Sequence, residues 1–441
     1  MKHVQSKGER DKQMIEAIVR RFGPLSRVQV YELTHLRRTT ISNLVRALLR
    51  ERRLVEAGPA DNPTGRKQTL LQLNGNYGSV VALEFDEETI AAGVLDLQLR
   101  VRETRKERAN LEGGQEGLLN QLAACIHKVV RKSKASGQPL LGIGIADPGL
   151  VDSRRGITTT SSTIEFWKHV PLRQALEAEF KVPILVESKT RAKAVAERML
   201  GAGGKCDNLI YVDYGVGIGA GIIVDGRLLY GQECAVGEFG HTHVTEGGPA
   251  CKCGSIGCLE AIAGTGAVVA KIRKALAEGA HSQVLAMAEG KEANVTAWMV
   301  LQAAKAGDKI CSNIVTEVAN HLGLGVSNLV NLFNPGVVVL DKRLEMAGDL
   351  LLDQVMQVVK RQALSNAVEG LSLTFGKLDN EPGLLGMGLM VLDKYFEIPA
   401  FRPPRFMIEP VHLAPASPAA QPLPAPAFRR RTESSRRLER T

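Results

Sequence analysis

His241, Cys251, Cys253 and Cys258 stand close together in the chain. One imidazole and three thiols at this spacing make the ligand set of a closed tetrahedral zinc site, with no position left for a catalytic water. Gly254 and Gly257 lie between the cysteines, where the backbone must turn sharply for three sulfurs to converge on one ion. A C-x-C-x4-C loop this rich in glycine is poor core material, so metal binding explains the cysteines better than packing does. His243 is a second candidate ligand, ranked below His241.

These residues sit in a chain of 441 residues, enough for two or three domains with substantial cores. No run of apolar residues is long enough for a membrane span, and the first residues, MKHVQSKGERDKQ, lack a signal peptide's apolar stretch. The remaining cysteines, Cys125, Cys206, Cys234 and Cys311, are scattered, which suits a reducing, cytoplasmic compartment rather than a disulfide framework. The net charge of +9 is concentrated at the two ends: residues 1–75 carry 15 Lys/Arg against 7 Asp/Glu, while the long middle is slightly acidic. A compact basic N-terminal module is the electrostatic footprint of a protein that binds a phosphate backbone.

The pattern inside that module is equally specific. Ile15, Ile18 and Val19 form a helical apolar stripe, Phe22-Gly23-Pro24 ends it, and Ser26 is placed to cap a second helix. After a turn at His35–Arg37, Ile41, Leu44, Val45 and Leu48 define the buried side of a third helix. Arg38, Thr39, Thr40, Ser42, Asn43 and Arg46 supply its polar sides, which predicts a recognition helix for the major groove. Leu54–Glu56 and Leu70–Leu73 read as strands around a loop ending in Arg66 and Lys67, so the whole of residues 1–76 predicts a winged helix-turn-helix with Arg66 and Lys67 in the wing. From Tyr77 the pattern changes to strand and helix in alternation: strands at 80–85, 89–96 and 142–146, and helices at 118–132 and 172–180. The last 45 residues, 397–441, are proline- and arginine-rich and predict a disordered tail.

Glu238-Phe239-Gly240-His241 followed by Cys251 through Glu260 resembles the signature of the ROK family of repressors and sugar kinases. GIGIADPGLVD near residue 142, VDYGVGIGAGIIVDG near 212 and LVNLFNPGVVVL near 329 are similar to further landmarks of that family, so the likeness runs from about residue 12 to 396. It implies an α/β class with an actin-like ATPase (ribonuclease H-like) fold over residues 77–396: two lobes meeting near residue 200, and a last helix returning to the first. It also implies that Glu238, His241 and Glu260 face sugar hydroxyls, and that Thr163 stands where an Asn contacts the sugar. The family's repressors carry a winged helix at the N-terminus and its kinases do not.

Three departures from the kinase pattern bear on activity. Glu84-Phe85-Asp86-Glu87-Glu88 replaces an Asp-Gly-Gly-Thr turn that lets backbone approach ATP phosphates, and each close pair of like charges there costs on the order of 1–4 kcal/mol. Lys189 replaces the Asp that takes the sugar's proton, and an ammonium with a reference pKa of ~10.4 is a poor base. Leu340-Asp341-Lys342-Arg343 replaces a glycine-rich turn beside the nucleotide. The expectation is therefore a non-enzymatic regulator: a homodimer on a double-stranded operator, zinc as a structural element, and a cleft that senses a sugar or sugar derivative. Lys189 has two readings: it can favour an anionic ligand, or pair with Glu238 or Glu260 and close the pocket.

Overall fold

The computed structural model describes residues 6–59, 68–135, 137–379 and 381–397. Arg66, Lys67 and, apart from Glu397, the expected tail lie outside them. Among the described residues no helix is long and apolar enough to cross a membrane.

The N-terminal module is a helix-turn-helix with a small sheet. Its helices are α1 (Lys7–Phe22), α2 (Arg27–Thr34) and α3 (Arg38–Arg50), and its strands are β1 (Leu25–Ser26), β2 (Leu54–Pro59) and β3 (Thr69–Leu73), in the order β1-β3-β2. Ser26 closes a capping box with Gln29, which fixes where α2 begins. Ile15, Ile18, Val30, Ile41, Val45, Leu48, Leu54 and Leu71 are buried together, as the helical spacing requires. Beneath them Arg53 donates to Glu16 and, at 2.6 Å, to Glu9, tying the start of β2 to α1. β1 is an addition to the expected pair of strands; two residues are too short to leave a period-two pattern.

Two lobes follow. The first contains β4 (Ser79–Phe85), β5 (Thr89–Asp96), β6 (Val101–Arg108), α4 (Gly114–Ala135), β7 (Leu140–Asp147), the small pair β8 (Leu150–Asp152) and β9 (Ile157–Thr160), α5 (Leu172–Phe180) and β10 (Ile184–Ser188). Its main sheet runs β10-β7-β4-β5-β6, with β10, β7 and β4 parallel and the β4–β5–β6 meander antiparallel. Next, α6 (Lys189–Leu200) crosses to the second lobe. That lobe's strands are β11 (Leu209–Tyr214), β12 (Ile218–Val224), β13 (Arg227–Leu228), β14 (Val337–Leu340) and β15 (Ser372–Phe375), ordered β13-β12-β11-β14-β15. Its helices are α7 (Leu259–Ala263), α8 (Thr265–Ala277), α9 (Gln283–Met287), α10 (Ala297–Lys305), α11 (Lys309–Phe333), α12 (Asp349–Gln362) and α13 (Ser365–Val368). Finally α14 (Pro382–Tyr395) returns to the first lobe and packs on β7, β4 and α6. Two similar five-stranded sheets with a crossover helix between them form the two-lobed architecture expected from the sequence, and the strands at 79–85 and 89–96 fall where alternation placed them.

Candidate metal centre and effector cleft

The ligand atoms of His241, Cys251, Cys253 and Cys258 all lie within 4.8 Å of one another. His241 Nδ1 is 3.6 Å from Cys251 Sγ, and the Cys253 and Cys258 sulfurs are 3.8 Å apart. Four ligands at zinc's usual bond lengths span tetrahedral edges of roughly 3.5–3.8 Å, so the cluster is sized for one such ion. Gly257 has φ +72° and a Cβ there would strike the Thr245 carbonyl, which explains the glycine. Burial pushes the Cys258 thiol up to about 12; a metal must displace its proton, and that exchange is how ion binding becomes coupled to folding. His243 lies outside the group, its Nε2 2.8 Å from Ser255 Oγ.

The same loop positions two of the residues that the family resemblance sets toward a sugar, His241 and Glu260. Cys258 caps α7, and Glu260 in its first turn accepts from Ile218 N at 3.2 Å. With Nδ1 turned to the cysteines, His241 points Nε2 at Glu238, 3.9 Å away. One ring can thus offer Nδ1 to a metal and leave Nε2 on the side of Glu238. Gly240 allows the close approach: a Cβ would meet the Ile218 carbonyl at 2.5 Å.

Across from these groups stands the Ser161–Ile164 turn of the first lobe. Ser161 Oγ accepts from Thr163 N and Ile164 N at 3.3 and 3.2 Å, and Thr163 Oγ1 lies 3.4 Å from the same hydroxyl. Thr163, expected to contact the effector, is therefore partly engaged within its own turn. Its neighbour Ser162 is exposed, and a Cβ on Gly217 would sit 3.9 Å from Ser162 Oγ and 3.3 Å from Glu260 Oε2. Ser162 and Glu260 thus both lie beside Gly217, a placement no local pattern announces.

Lys189 corrects the sequence reading. It pairs with neither Glu238 nor Glu260; its Nζ donates to Asp86 Oδ2 at 3.1 Å, across the β4–β5 turn. Lys193 and Arg343 are likewise matched to carboxylates. Lys193 donates to Asp213 at 2.8 Å with Asp341 at 3.7 Å, and Thr190 donates to Asp213 at 3.1 Å. Arg343 donates to both oxygens of Asp341 and to the Tyr214 carbonyl, and its guanidinium lies 4.7 Å from the Trp298 ring. Burial works against ionising Asp213, yet the Lys193 ammonium holds its carboxyl far below the usual range. Burial likewise opposes charge on Lys193, and Asp213 and Asp341 hold it above the ordinary lysine value. Arg191 turns away, as its position between Lys189 and Lys193 on a helix predicts, and is buried on Glu187 at 2.6 Å.

On α3 the exposed residues Thr39, Asn43, Arg46 and Arg50 fall at i, i+4, i+7 and i+11, a single stripe opposite Ile41, Val45 and Leu48. Arg50 was not among the expected residues, although this same periodicity reveals it. Thr40 and Ser42 are half-buried beside the stripe, and Arg38 is exposed with its guanidinium 4.9 Å from the Tyr31 ring.

Residues 80–394 match the ROK family. The chain belongs to the ROK family. A xylose repressor of Caldicellulosiruptor bescii is 32% identical over 379 residues, covering 86% of this chain and 94% of that protein. Among solved structures, a ROK family transcriptional regulator described as a homologue of the Escherichia coli MLC protein superposes with a TM-score of 0.75. It is 24% identical and covers 88% of this chain and 98% of its own. A ROK family glucokinase from Streptomyces griseus, in complex with glucose and AMPPNP, gives a TM-score of 0.64 at 28% identity. It covers 71% of this ROK chain and 99% of its own. The regulators align along most of this chain, whereas the kinase accounts for a smaller part of it.

Proposed function

We propose that this ROK protein is a transcriptional repressor that holds operator DNA through α3 and responds to a neutral sugar bound between Ser162 and the Glu238–His241–Glu260 group. The observation that carries the reading is the exposed Thr39–Asn43–Arg46–Arg50 stripe on a winged helix joined to a ROK cleft. The similarity to a xylose repressor over 86% of the chain supports it. Arg46 and Asn43 are the bases' readers in this proposal, with Arg38, Thr39, Thr40, Ser42 and Arg50 beside them on bases or phosphates. Arg66 and Lys67 of the wing take the adjacent groove, and two copies of the chain bind a pseudo-palindrome.

The metal is zinc in this reading, held by His241, Cys251, Cys253 and Cys258 as a structural element that fixes Glu260 and the His241 ring. Sugar phosphorylation has no base: the Lys189 ammonium engaged by Asp86 has no lone pair to take a hydroxyl proton. Arg343, in the Leu340–Arg343 segment that replaces the family's glycine-rich turn, donates to the Tyr214 carbonyl at the end of β11. The choice of a neutral effector rests on the same pairing, since Lys189, Arg191 and Lys193 each already face a carboxylate. This replaces the anionic ligand that the bare sequence left open.

Selection of duplexes from a random pool by the full chain, followed by anisotropy titrations, tests the reading. Arg46→Ala should lose about 1–3 kcal/mol of affinity for the selected duplex and relax the sequence at one position. A chain lacking residues 1–75 that still selects the same sequence defeats it, as does transfer of phosphate from ATP to any hexose, pentose or amino sugar.

A further inference from the structure

The two ends of α14 are held by different parts of the molecule. At its start, Gly383 lies against the Glu84 carboxylate and Gly386 against the Ala192 carbonyl of α6, and neither leaves room for a Cβ. Ala192 immediately precedes Lys193 and is one turn from Lys189, so α14 rests on the segment that carries the cleft's cations. Glu84 Oε2 is buried there without a hydrogen-bond partner among the described residues, which leaves that carboxylate dependent on the charges around it. Midway, Met387 and Val391 fill the space over Gly144, and Val391 also covers Gly142. At its far end Asp393 accepts from Arg20 of α1, and the same guanidinium lies 5.7 Å from the Phe396 ring. A helix of 14 residues is about 21 Å long. Its glycine contacts have no slack, and close-packed interiors transmit a displacement rather than absorb it.

We propose that α14 is the relay by which the state of the cleft reaches the DNA-binding module, with the Arg20–Asp393–Phe396 contact as its output. The proposal rests on the regulator reading given above and names how that regulation travels. A change in the first turn of α6 moves Ala192 against Gly386, and the rigid helix carries the shift to Asp393 and Phe396. α1 packs against both α2 and α3, so releasing or re-aiming Arg20 re-aims the α3 stripe. The output contact is suited to switching: Asp393 is 64% exposed, and exposed ion pairs are weak enough to exchange readily.

A double-mutant cycle on operator affinity tests the relay without any sugar. Lys189→Met perturbs the cleft end and Arg20→Ala the output end, each measured by anisotropy with the selected duplex. Lys189→Met alone should change Kd by about threefold or more, and in the Arg20→Ala background that change should fall below about twofold. Asp393→Asn should reproduce the effect of Arg20→Ala, which separates the relay from a direct Arg20 contact with phosphate. Additive effects, an unresponsive Lys189→Met, or suppression by Arg20→Ala but not by Asp393→Asn would each overturn the relay. Parallel titrations with D-xylose, D-glucose and N-acetylglucosamine judge the effector reading separately. If none of them changes operator affinity, that reading fails while the cycle still decides the relay.

Discussion

The two sides of the cleft are built on opposite plans. On the cysteine side, His241 and Glu260 are placed by the Cys251–Cys258 loop, and Glu238 is exposed with His241 Nε2 3.9 Å away. On the other, Asp86, Lys189, Lys193, Asp213, Asp341 and Arg343 use their charges on one another. The first plan is that of a binding surface, where orientation is fixed and hydrogen-bonding capacity is left over. The second is that of a closed core, where capacity is consumed internally. In the proposed reading, the first side is the one that meets a sugar, and the second has spent on internal pairs the charges that a nucleotide would need.

The largest test of this contrast is the metal. Structural zinc in small domains is worth about 10–16 kcal/mol of apparent binding free energy, and that energy is folding energy. Cys253 is exposed, so Cys253→Ala removes a ligand without opening a core cavity. Elemental analysis should show the bound zinc fall from about one per chain to near zero, with a lower melting temperature and no sugar binding. Affinity of this variant for the operator duplex should persist, because among the described residues no hydrogen bond or ion pair is seen between the N-terminal module and the cysteine loop. Unchanged sugar affinity in the zinc-free variant would mean that the metal does not organise the polyol side.

The filled side has its own signature. Removing one partner of a buried ion pair costs about 3–5 kcal/mol, and Lys193→Met should fall near the lower end because Arg343 stays within 3.7 Å of Asp213. Urea melts measure this directly. The pH dependence follows from the two shifts. Asp213 is depressed in the folded chain, so its contribution is present above the unfolded carboxylate value of about 4 and is lost as pH falls. Lys193 is raised, so its contribution is complete below about 10.4 and is lost as pH rises through the folded value. The stability difference between the parent and Lys193→Met should therefore stay level across the neutral range and shrink in acid. A difference that grows as Asp213 protonates would refute the pairing as a source of stability.

How far the sequence announced this arrangement depends on the range of the contact. The His241–Cys251–Cys253–Cys258 cluster, the α3 face and the β4–β5 hairpin are local, and spacing alone reveals them. The partner of Lys189 is 103 residues away on another element, and no periodicity connects β4–β5 to α6. The family resemblance offers Glu238 and Glu260 as partners, and the fold instead turns the first residue of α6 toward Asp86. Arg50 is a different kind of omission: its i+4 relation to Arg46 was legible, but its place in the helix's last turn hid its membership of the same stripe. The approach of Ser162 to Glu260 depends on how two lobes face each other, which lies beyond any window of the chain.

Ser162 gives the smallest and sharpest test of the open side. Its hydroxyl is exposed in a turn whose other polar atoms are engaged with Ser161, and it lies beside Gly217, as Glu260 does. A neutral hydrogen bond to a ligand hydroxyl contributes about 1 kcal/mol, equivalent to roughly fivefold in affinity. Calorimetric titration should show Ser162→Ala weakening the neutral sugar by about that factor, with stability unchanged because no buried partner is orphaned. Thr163→Val removes a hydroxyl that already faces Ser161, so its loss should appear in the melting temperature more than in sugar affinity. The opposite ordering, with Thr163→Val costing the ligand and Ser162→Ala costing nothing, would return the contact to the position where the family resemblance placed it.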